Sequence, residues 1–528
     1  VSEWGYVWKE ARDNGGDGLV EWKHTAITDM RHSITTSAST STVLRNSLAI
    51  AASTILARGL QFLWAILLAR LVGEAGYGIW GLIASLITIL ATLPEFGMGL
   101  IVLRDVSRDR TQAGKYLAAT LVVQPLLALL AHALLVVIAV VAYESPVNLL
   151  LIVAGGSLLL DTLGNIGHGQ LLAAEQMVVT SAILVLHIGL QIAFAAVVLF
   201  AGGGLLGLYI ATLTAGLCRA VMYWLALRHL RVRPQFPVDG QVVRALFWGG
   251  WPLAVGSFLT LIYSQIDRVL VFSLLGDRQA GNVVSAFVVI FGVTEIISIT
   301  MLTALFPLMS RLAVDHRDEL RRLTDQLAML TLLASIPLAV LIAGLASRLS
   351  ALLFPGFVST SQVLELLIWQ AVVQMVGSAF SQLMVVEGKQ TRLMVFRLIG
   401  LAVNIALNLL LLPRLGISAV SLTLLVTQAV MVALFLTYRR PEPVVWQAWV
   451  RQGGRILVAG GLMLGVLLLL RDVSPILAAV SGGLTYVALI VALRALRSDD
   501  WALLRRVALT LPVLGRVVAR YFPPPVAA

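Results

Sequence analysis

The amino-acid sequence predicts an all-α polytopic membrane protein of about fourteen transmembrane helices, in two pseudo-symmetric six-helix lobes plus two extra C-terminal helices. Three observations carry that expectation: the apolar excess, the length of the apolar blocks and an internal duplication. Of 528 residues, 59% are hydrophobic and 12% charged, with mean hydropathy +0.93. A water-soluble fold of this length has too little interior for so many apolar side chains, so the bilayer must solvate most of the chain. The apolar residues fall in blocks of about 20, the number that crosses a hydrocarbon core as a helix. The short alternating segments of a membrane barrel are absent.

In chain order the blocks cover 46–70, 78–100, 116–142, 147–168, 178–200, 204–227, 245–274, 282–309, 325–347, 360–386, 393–412, 416–437, 454–470 and 475–493. The first pair is divided at Arg70, Gly73 and Glu74, and the next boundary holds Arg104, Arg108, Arg110 and Lys115. Glu144 with Pro146, then Glu175, then Gly202 to Gly204 separate spans three to six. Arg228, Arg231, Arg233 and Arg244 precede span seven, which is overlong for one perpendicular crossing and calls for tilt or a break. Gly276, Asp277 and Arg278 end it; Arg311, Arg317, Arg321 and Arg322 follow span eight, and Arg348 follows span nine. Lys389 with Arg392, Pro413 with Arg414, Arg439 with Arg440, and Arg471 close the remaining boundaries.

With the N-terminus inside, cations on internal loops outnumber those on external loops by roughly four to one, which by the positive-inside rule places both termini in the cytoplasm. Trp248, Trp251, Trp446 and Trp449 then fall at the membrane interfaces, where amphipathic rings are favoured. Residues 1–44 are polar, end in a Ser/Thr-rich stretch from Ser33 to Thr42 and read as a disordered cytoplasmic tail. They hold no short apolar region with a cleavage site, so span one is expected to be an uncleaved anchor. Residues 496–528 form a cytoplasmic tail in which Trp501, Leu504 and Val507 alternate with Arg505, Arg506 and Arg516, an amphipathic pattern suited to an anionic leaflet.

The duplication sets the architecture. Gly73-Glu74 with Gly78 recurs as Gly276-Asp277 with Gly281; Gln170-Leu171-Leu172 with Glu175 recurs as Gln382-Leu383-Met384 with Glu387; Gly204 recurs as Gly416. The offsets are 203 and 212 residues, one repeat with a small insertion. Six spans per repeat is even, so both halves insert in the same orientation, related by an axis along the membrane normal with a cavity between them. The expected units are an N-lobe at 45–230, a C-lobe at 231–440 and spans thirteen and fourteen within 441–495.

Several function classes drop out. The basic residues, net charge +11, are scattered through short loops, which argues against nucleic-acid binding. The single cysteine, Cys218, implies neither a disulfide framework nor a thiol site. No G-x-x-x-x-G-K-[ST] loop, no Cys/His cluster and no extended external loop is present, so the chain is not expected to be an enzyme.

The stretch LLARLVGEAGYGIWGL at 67–82, then Glu95 to Leu100 with Arg104, resembles the start of polysaccharide-type flippases of the multidrug/oligosaccharidyl-lipid/polysaccharide exporter superfamily. Gln265-Ile266-Asp267-Arg268, and Asn404 to Asn408 ahead of Pro413 and Gly416, are similar to that group as well. The resemblance covers roughly 45–440 and implies two six-helix lobes, two extra helices and a substrate such as an undecaprenyl-pyrophosphate-linked oligosaccharide. The N-terminal tail departs from the short one usual in the group, and the Val1 start fits a misplaced start codon.

A charge at mid-membrane costs at least about 2.5 kcal/mol on insertion scales, so each one calls for a partner, a wet cavity or a ligand. Arg58, Arg219 and Arg268 are the candidate substrate-binding residues, because a planar, permanently charged guanidinium suits a pyrophosphate. Ion pairing to another helix competes for Arg58, snorkelling to the cytoplasmic surface competes for Arg219, and local structural pairing competes for Arg268 and Asp267. Asp161, Asp267 and Glu295 are candidate ion-coupling carboxylates, and Asn404 with Asn408, four apart on one face, can hold a sodium ion or tie helices together. Glu95, beside Pro94 and Gly97, reads as a turn or cap, and His132 and His187 as packing residues.

The expected function is a flippase that moves a lipid-linked sugar to the outer leaflet of a bacterial-type inner membrane by alternating access. It needs no cofactor beyond a coupling proton or sodium ion, and its partners are the lipid-linked sugar, the bilayer and other glycan-assembly proteins. A cation-coupled multidrug exporter of the same superfamily is the alternative, and a membrane glycan polymerase or ligase a more distant one.

Overall fold

The computed structural model describes residues 40–496, and among them every regular element is a helix. The expected tail up to residue 39 and the amphipathic stretch from Ser498 to Tyr521 lie outside the described residues. Twelve helices among the described residues are long and apolar enough to cross a membrane, which makes this a multi-pass membrane protein. In a lipid solvent a helix is the economical choice, because each backbone N–H and C=O is paired within its own segment.

Helix α1 (Thr40–Leu90) contains a non-helical residue, Gly73, at φ 70° and ψ −179°. The apolar run Ala49–Glu95 has 47 residues, about 70 Å at 1.5 Å per residue, which is more than twice a hydrocarbon core. It accommodates the expected spans one and two. Short α2 (Thr92–Glu95) follows, and Phe96 and Gly97 both take left-handed φ, 42° and 68°. A Cβ on Gly97 would lie 2.7 Å from the Gly250 carbonyl oxygen, so the turn expected at Glu95 requires glycine there. Helix α3 (Met98–Arg108) is amphipathic: Met98, Ile101, Val102 and Val106 are buried, while Arg104 and Arg108 are exposed. Asp105 on α3 accepts from Arg104 at 2.7 and 3.1 Å and from the Tyr116 hydroxyl at 2.8 Å, and these bonds, Arg104 first, hold its carboxyl below the usual carboxylate range.

The first half continues with α4 (Ala113–Ala142), α5 (Val147–Gly155), α6 (Ser157–Ala173), α7 (Met177–Phe200) and α8 (Gly204–His229). The second half holds α9 (Gly240–Leu275), α10 (Asp277–Asp315), α11 (Arg317–Gly344), short α12 (Ala346–Leu353), α13 (Thr360–Val386), α14 (Gln390–Leu415) and α15 (Ser418–Arg439). Last come α16 (Pro443–Leu470) and α17 (Pro475–Ala492), the expected spans thirteen and fourteen. Helix α16 docks on α11 through glycines: a Cβ on Gly460 would lie 2.5 Å from Ile336, and one on Gly344 2.2 Å from Leu467. The twelve fall short of the expected fourteen for two reasons: α1 runs through two expected spans, and α10, 39 residues long, is not among the twelve.

Helix α9 is continuous over 36 residues with Pro252 inside it. Its early residues Val242 and Leu246 are buried with Met98, Ile101 and Val106 of α3, while its later residues meet α14.

The sequence duplication has a backbone counterpart. Gly276 (φ 86°, ψ 178°) repeats the unusual conformation of Gly73. The second match is offset by one residue from its sequence alignment. Glu175 and Gly388, 213 apart, take left-handed φ of 60° and 71°, and each closes its helix by the same pair of bonds. Glu175 N–H donates to Leu172 and Gln176 N–H to Leu171; Gly388 N–H donates to Val385 and Lys389 N–H to Met384. The identities Gln170/Gln382 and Glu175/Glu387 therefore align side chains one step away from the equivalent helix ends.

Candidate functional site

The two copies of the glycine motif pack against each other. A Cβ on Gly78 would lie 1.9 Å from the Asp277 carbonyl oxygen, and one on Gly281 would lie 2.0 Å from that of Glu74. Side chains fasten the same end. The Glu74 carboxylate accepts from the Asn282 amide at 3.1 Å and from the Val358 backbone N–H at 2.7 Å. Asn282 in turn accepts from the Ser359 N–H and the Thr360 hydroxyl, both at 2.9 Å. Arg70 donates to the Leu353 carbonyl at 3.0 Å and to that of Leu352. This end of the bundle is closed, with residues from both halves of the sequence in the closure.

Deeper along α9 lies Arg268. Its Nη1 donates to the Gln265 side-chain carbonyl, which also accepts from the Ser85 hydroxyl of α1 at 3.2 Å. Its guanidinium carbon sits 4.8 Å from the Phe287 ring centre and 5.6 Å from that of Phe291, both on α10, and the ring faces stabilise the cation. Its Nε is buried with no hydrogen-bond partner, and among the described residues no carboxylate forms an ion pair with it. The site thus presents a permanent positive charge held by a neutral carbonyl and two aromatic faces, with donors left over.

Asp267, the adjacent residue, points elsewhere, as the 100° step of a helix requires. It is 2% exposed, and its Oδ1 accepts from the amides of Asn404 at 3.0 Å and Asn408 at 2.8 Å. Asn408 also donates to the Asn404 carbonyl at 3.1 Å, while its own side-chain carbonyl is buried and unpaired. Three of the five expected ion-coupling residues therefore meet in one cluster between α9 and α14. A buried carboxylate with an orphan carbonyl beside it is an oxygen-rich setting that suits a proton or a small hard cation.

Asp161 and Arg219, expected in separate roles, are partners. Arg219 Nη2 lies 2.8 Å from Asp161 Oδ1 and 3.1 Å from its backbone carbonyl. Gly164 makes room: a Cβ there would come within 2.9 Å of Arg219 Nε, which is buried and unpaired. Arg58 is exposed on α1. Glu295 lies in α10, but its side chain falls outside the described residues.

Arg397 escaped the sequence reading. It donates to the Thr260 hydroxyl at 2.7 Å, one step along the same α9–α14 seam from Tyr263, whose hydroxyl accepts from Gln428 at 3.0 Å. The signal available was a cation five residues inside an apolar block, close enough to its end to pass for a loop residue. Arg70 stood in the sequence only as a span boundary and Glu74 only as part of the repeat; the signal available was a cation and a carboxylate four residues apart around a glycine.

Residues 67–356 match the family described as polysaccharide biosynthesis protein. No curated protein matches the chain. Among solved structures, the lipid II flippase MurJ in an inward-closed conformation is similar at a TM-score of 0.68 and 14% identity, over 85% of this chain and 99% of that one. A multidrug-resistance MATE family transporter of the MOP superfamily, inward-facing, gives 0.55 and 15% identity over 72% of this chain and 93% of that one. A MOP superfamily transporter from Pyrococcus furiosus, described as having a binding pocket of reversed polarity, gives 0.52 and 16% over 76% and 94%. The chain belongs to the polysaccharide biosynthesis protein family and has the fold of the MOP superfamily transporters.

Proposed function

We propose that the protein is a flippase that carries a polyprenyl-pyrophosphate-linked oligosaccharide from the cytoplasmic to the outer leaflet by alternating access. In this reading both termini are cytoplasmic, the Gly73/Gly276 end is external, and the structure is closed to the outside. The observation that carries the proposal is Arg268: a cation between helices of both halves, in contact with no carboxylate among the described residues, with its Nε hydrogen-bond donor unspent. A pyrophosphate oxygen is a stronger acceptor than the Gln265 amide that now holds it. The cluster of Asp267, Asn404 and Asn408 supports coupling to sodium or protons, and the Asp161–Arg219 pair supports a charge-balanced interior in the first half.

The test is flipping of a fluorescent polyprenyl-pyrophosphate oligosaccharide by the purified chain in sealed vesicles. Arg268→Ala should slow it about tenfold or more, as expected for losing a charged hydrogen bond of about 1.5–3 kcal/mol. Arg268→Lys should recover part of the rate, keeping the charge without the fork. A folded Arg268→Ala variant that flips at the wild-type rate would remove Arg268 from the substrate path. Transport of organic cations in place of the glycan lipid would instead favour the multidrug-exporter alternative.

A further inference from the structure

Helix α9 is about 54 Å long at 1.5 Å per residue, some 24 Å longer than a hydrocarbon core. If its Leu275 end sits at one surface, even a tilted helix of this length carries its first turns into the opposite headgroup layer. One face of that stretch is fixed: Val242 and Leu246 are buried, and a Cβ on Gly250 would lie 2.3 Å from the Phe96 carbonyl oxygen. The other face is uncovered. Gln241, Arg244, Ala245 and Trp248 line a cleft of about 490 Å3. Arg244 makes no hydrogen bond or ion pair among the described residues, nor do the Gln241 side chain and the Trp248 indole. Beyond them the same side of the helix turns apolar, with Trp251 and Val255 exposed.

Donors at the first turns, an indole next and apolar surface after that match a lipid in order of depth. A headgroup phosphate would meet Arg244 and Gln241, the glycerol region Trp248, and the first methylenes Trp251 and Val255. The uncovered face of α4 differs: Leu126, Leu130, Leu134, Val137 and Val141 offer no donor, as expected of contact with bulk acyl chains. We propose that the α9 cleft at Gln241, Arg244 and Trp248 is a docking site for an anionic phospholipid of the adjacent leaflet. The anionic headgroup is selected because the unpaired Arg244 is, among the described residues, the only ionised group lining the cleft. This inference does not depend on what the protein transports.

The test uses the full chain in phosphatidylcholine nanodiscs doped with phosphatidylglycerol, with retained lipid counted by native mass spectrometry. Wild type should retain phosphatidylglycerol in preference to phosphatidylcholine. Arg244→Ala should weaken that retention about tenfold, the effect of losing a charged hydrogen bond of about 1.4 kcal/mol or more. Arg244→Lys should fall between them, and Trp248→Ala should weaken it as well. Arg228→Ala removes another exposed arginine and should leave retention unchanged. Thermal unfolding checks each variant, with Arg244→Gln carrying the test if the alanine variant does not fold. Wild-type retention by Arg244→Ala would overturn the site. So would an equal loss in Arg228→Ala, which would mean diffuse attraction, or full displacement by inorganic phosphate, which would mean a site for the free anion.

Discussion

Two neighbouring residues, Asp267 and Arg268, divide the polar work of α9. Arg268 faces α1 and α10, between the two halves of the chain, where the proposed substrate would meet it. Asp267 faces α14, where it is sealed among amides. That separation predicts separable phenotypes. Asp267→Asn keeps the size of the side chain and removes its charge, so a sodium or proton gradient should no longer accelerate transport while folded yield stays near wild type. Gradient-driven rates, measured with sodium at fixed pH and with a pH gradient free of sodium, check this; an unchanged response to both gradients would remove Asp267 from coupling. The asparagines were legible as a pair because four-residue spacing puts them on one face. Their partner was not, since 137 residues separate Asp267 from Asn404. The same blindness to distance hid the Asp161–Arg219 pair and left the two residues with separate roles.

At the scale of elements, the decisive contact is the crossing of α1 and α10. Helices approach this closely only where side chains are missing, and the repeat supplies a glycine to each partner. The equivalence predicts that Gly78→Ala and Gly281→Ala act alike, because each new methyl would sit about 2 Å from a carbonyl oxygen that packs against it. Either should force the closed end apart. With Cys218→Ser as background, labelling of Ser85→Cys by a membrane-impermeant maleimide should rise several-fold in both variants. Unchanged labelling in a folded Gly78→Ala protein would mean that this crossing does not hold the end shut. The glycine motif was visible as a repeat in the sequence, but its two copies gave no sign of touching. Matching letters put Gln170 on Gln382, one residue away from the shared left-handed helix ends at Glu175 and Gly388, whereas Gly204 and Gly416, matched at the same offset of 212, both take φ 59°. Hydropathy divided the first pair of spans at Gly73, where the backbone does leave helical geometry, although the helix continues on both sides of it.

For the whole molecule, composition and block length were enough to give an all-helical membrane protein, because the bilayer admits few other solutions. Direction and driving force are a further matter, and for the proposed substrate charge predicts them. A pyrophosphate headgroup carries about two negative charges, and moving one charge through the full membrane potential is worth about 2.3 kcal/mol per 100 mV. An interior-negative potential would then favour outward movement of the headgroup by about 4.6 kcal/mol per 100 mV, enough to bias its distribution more than a thousandfold at equilibrium. In sealed vesicles, imposing an interior-negative potential should accelerate flipping from the inner to the outer leaflet, and reversing the sign should slow it. The Asp267→Asn variant should keep this voltage response while losing its ion response, since the charge that moves belongs to the substrate. If flipping by the wild type is indifferent to the imposed potential, the headgroup crosses with compensating cations, and the Asp267 cluster becomes the place to look for them. If the sign is opposite to that expected, more positive charge than negative crosses in each cycle, which would require at least three cations per pyrophosphate.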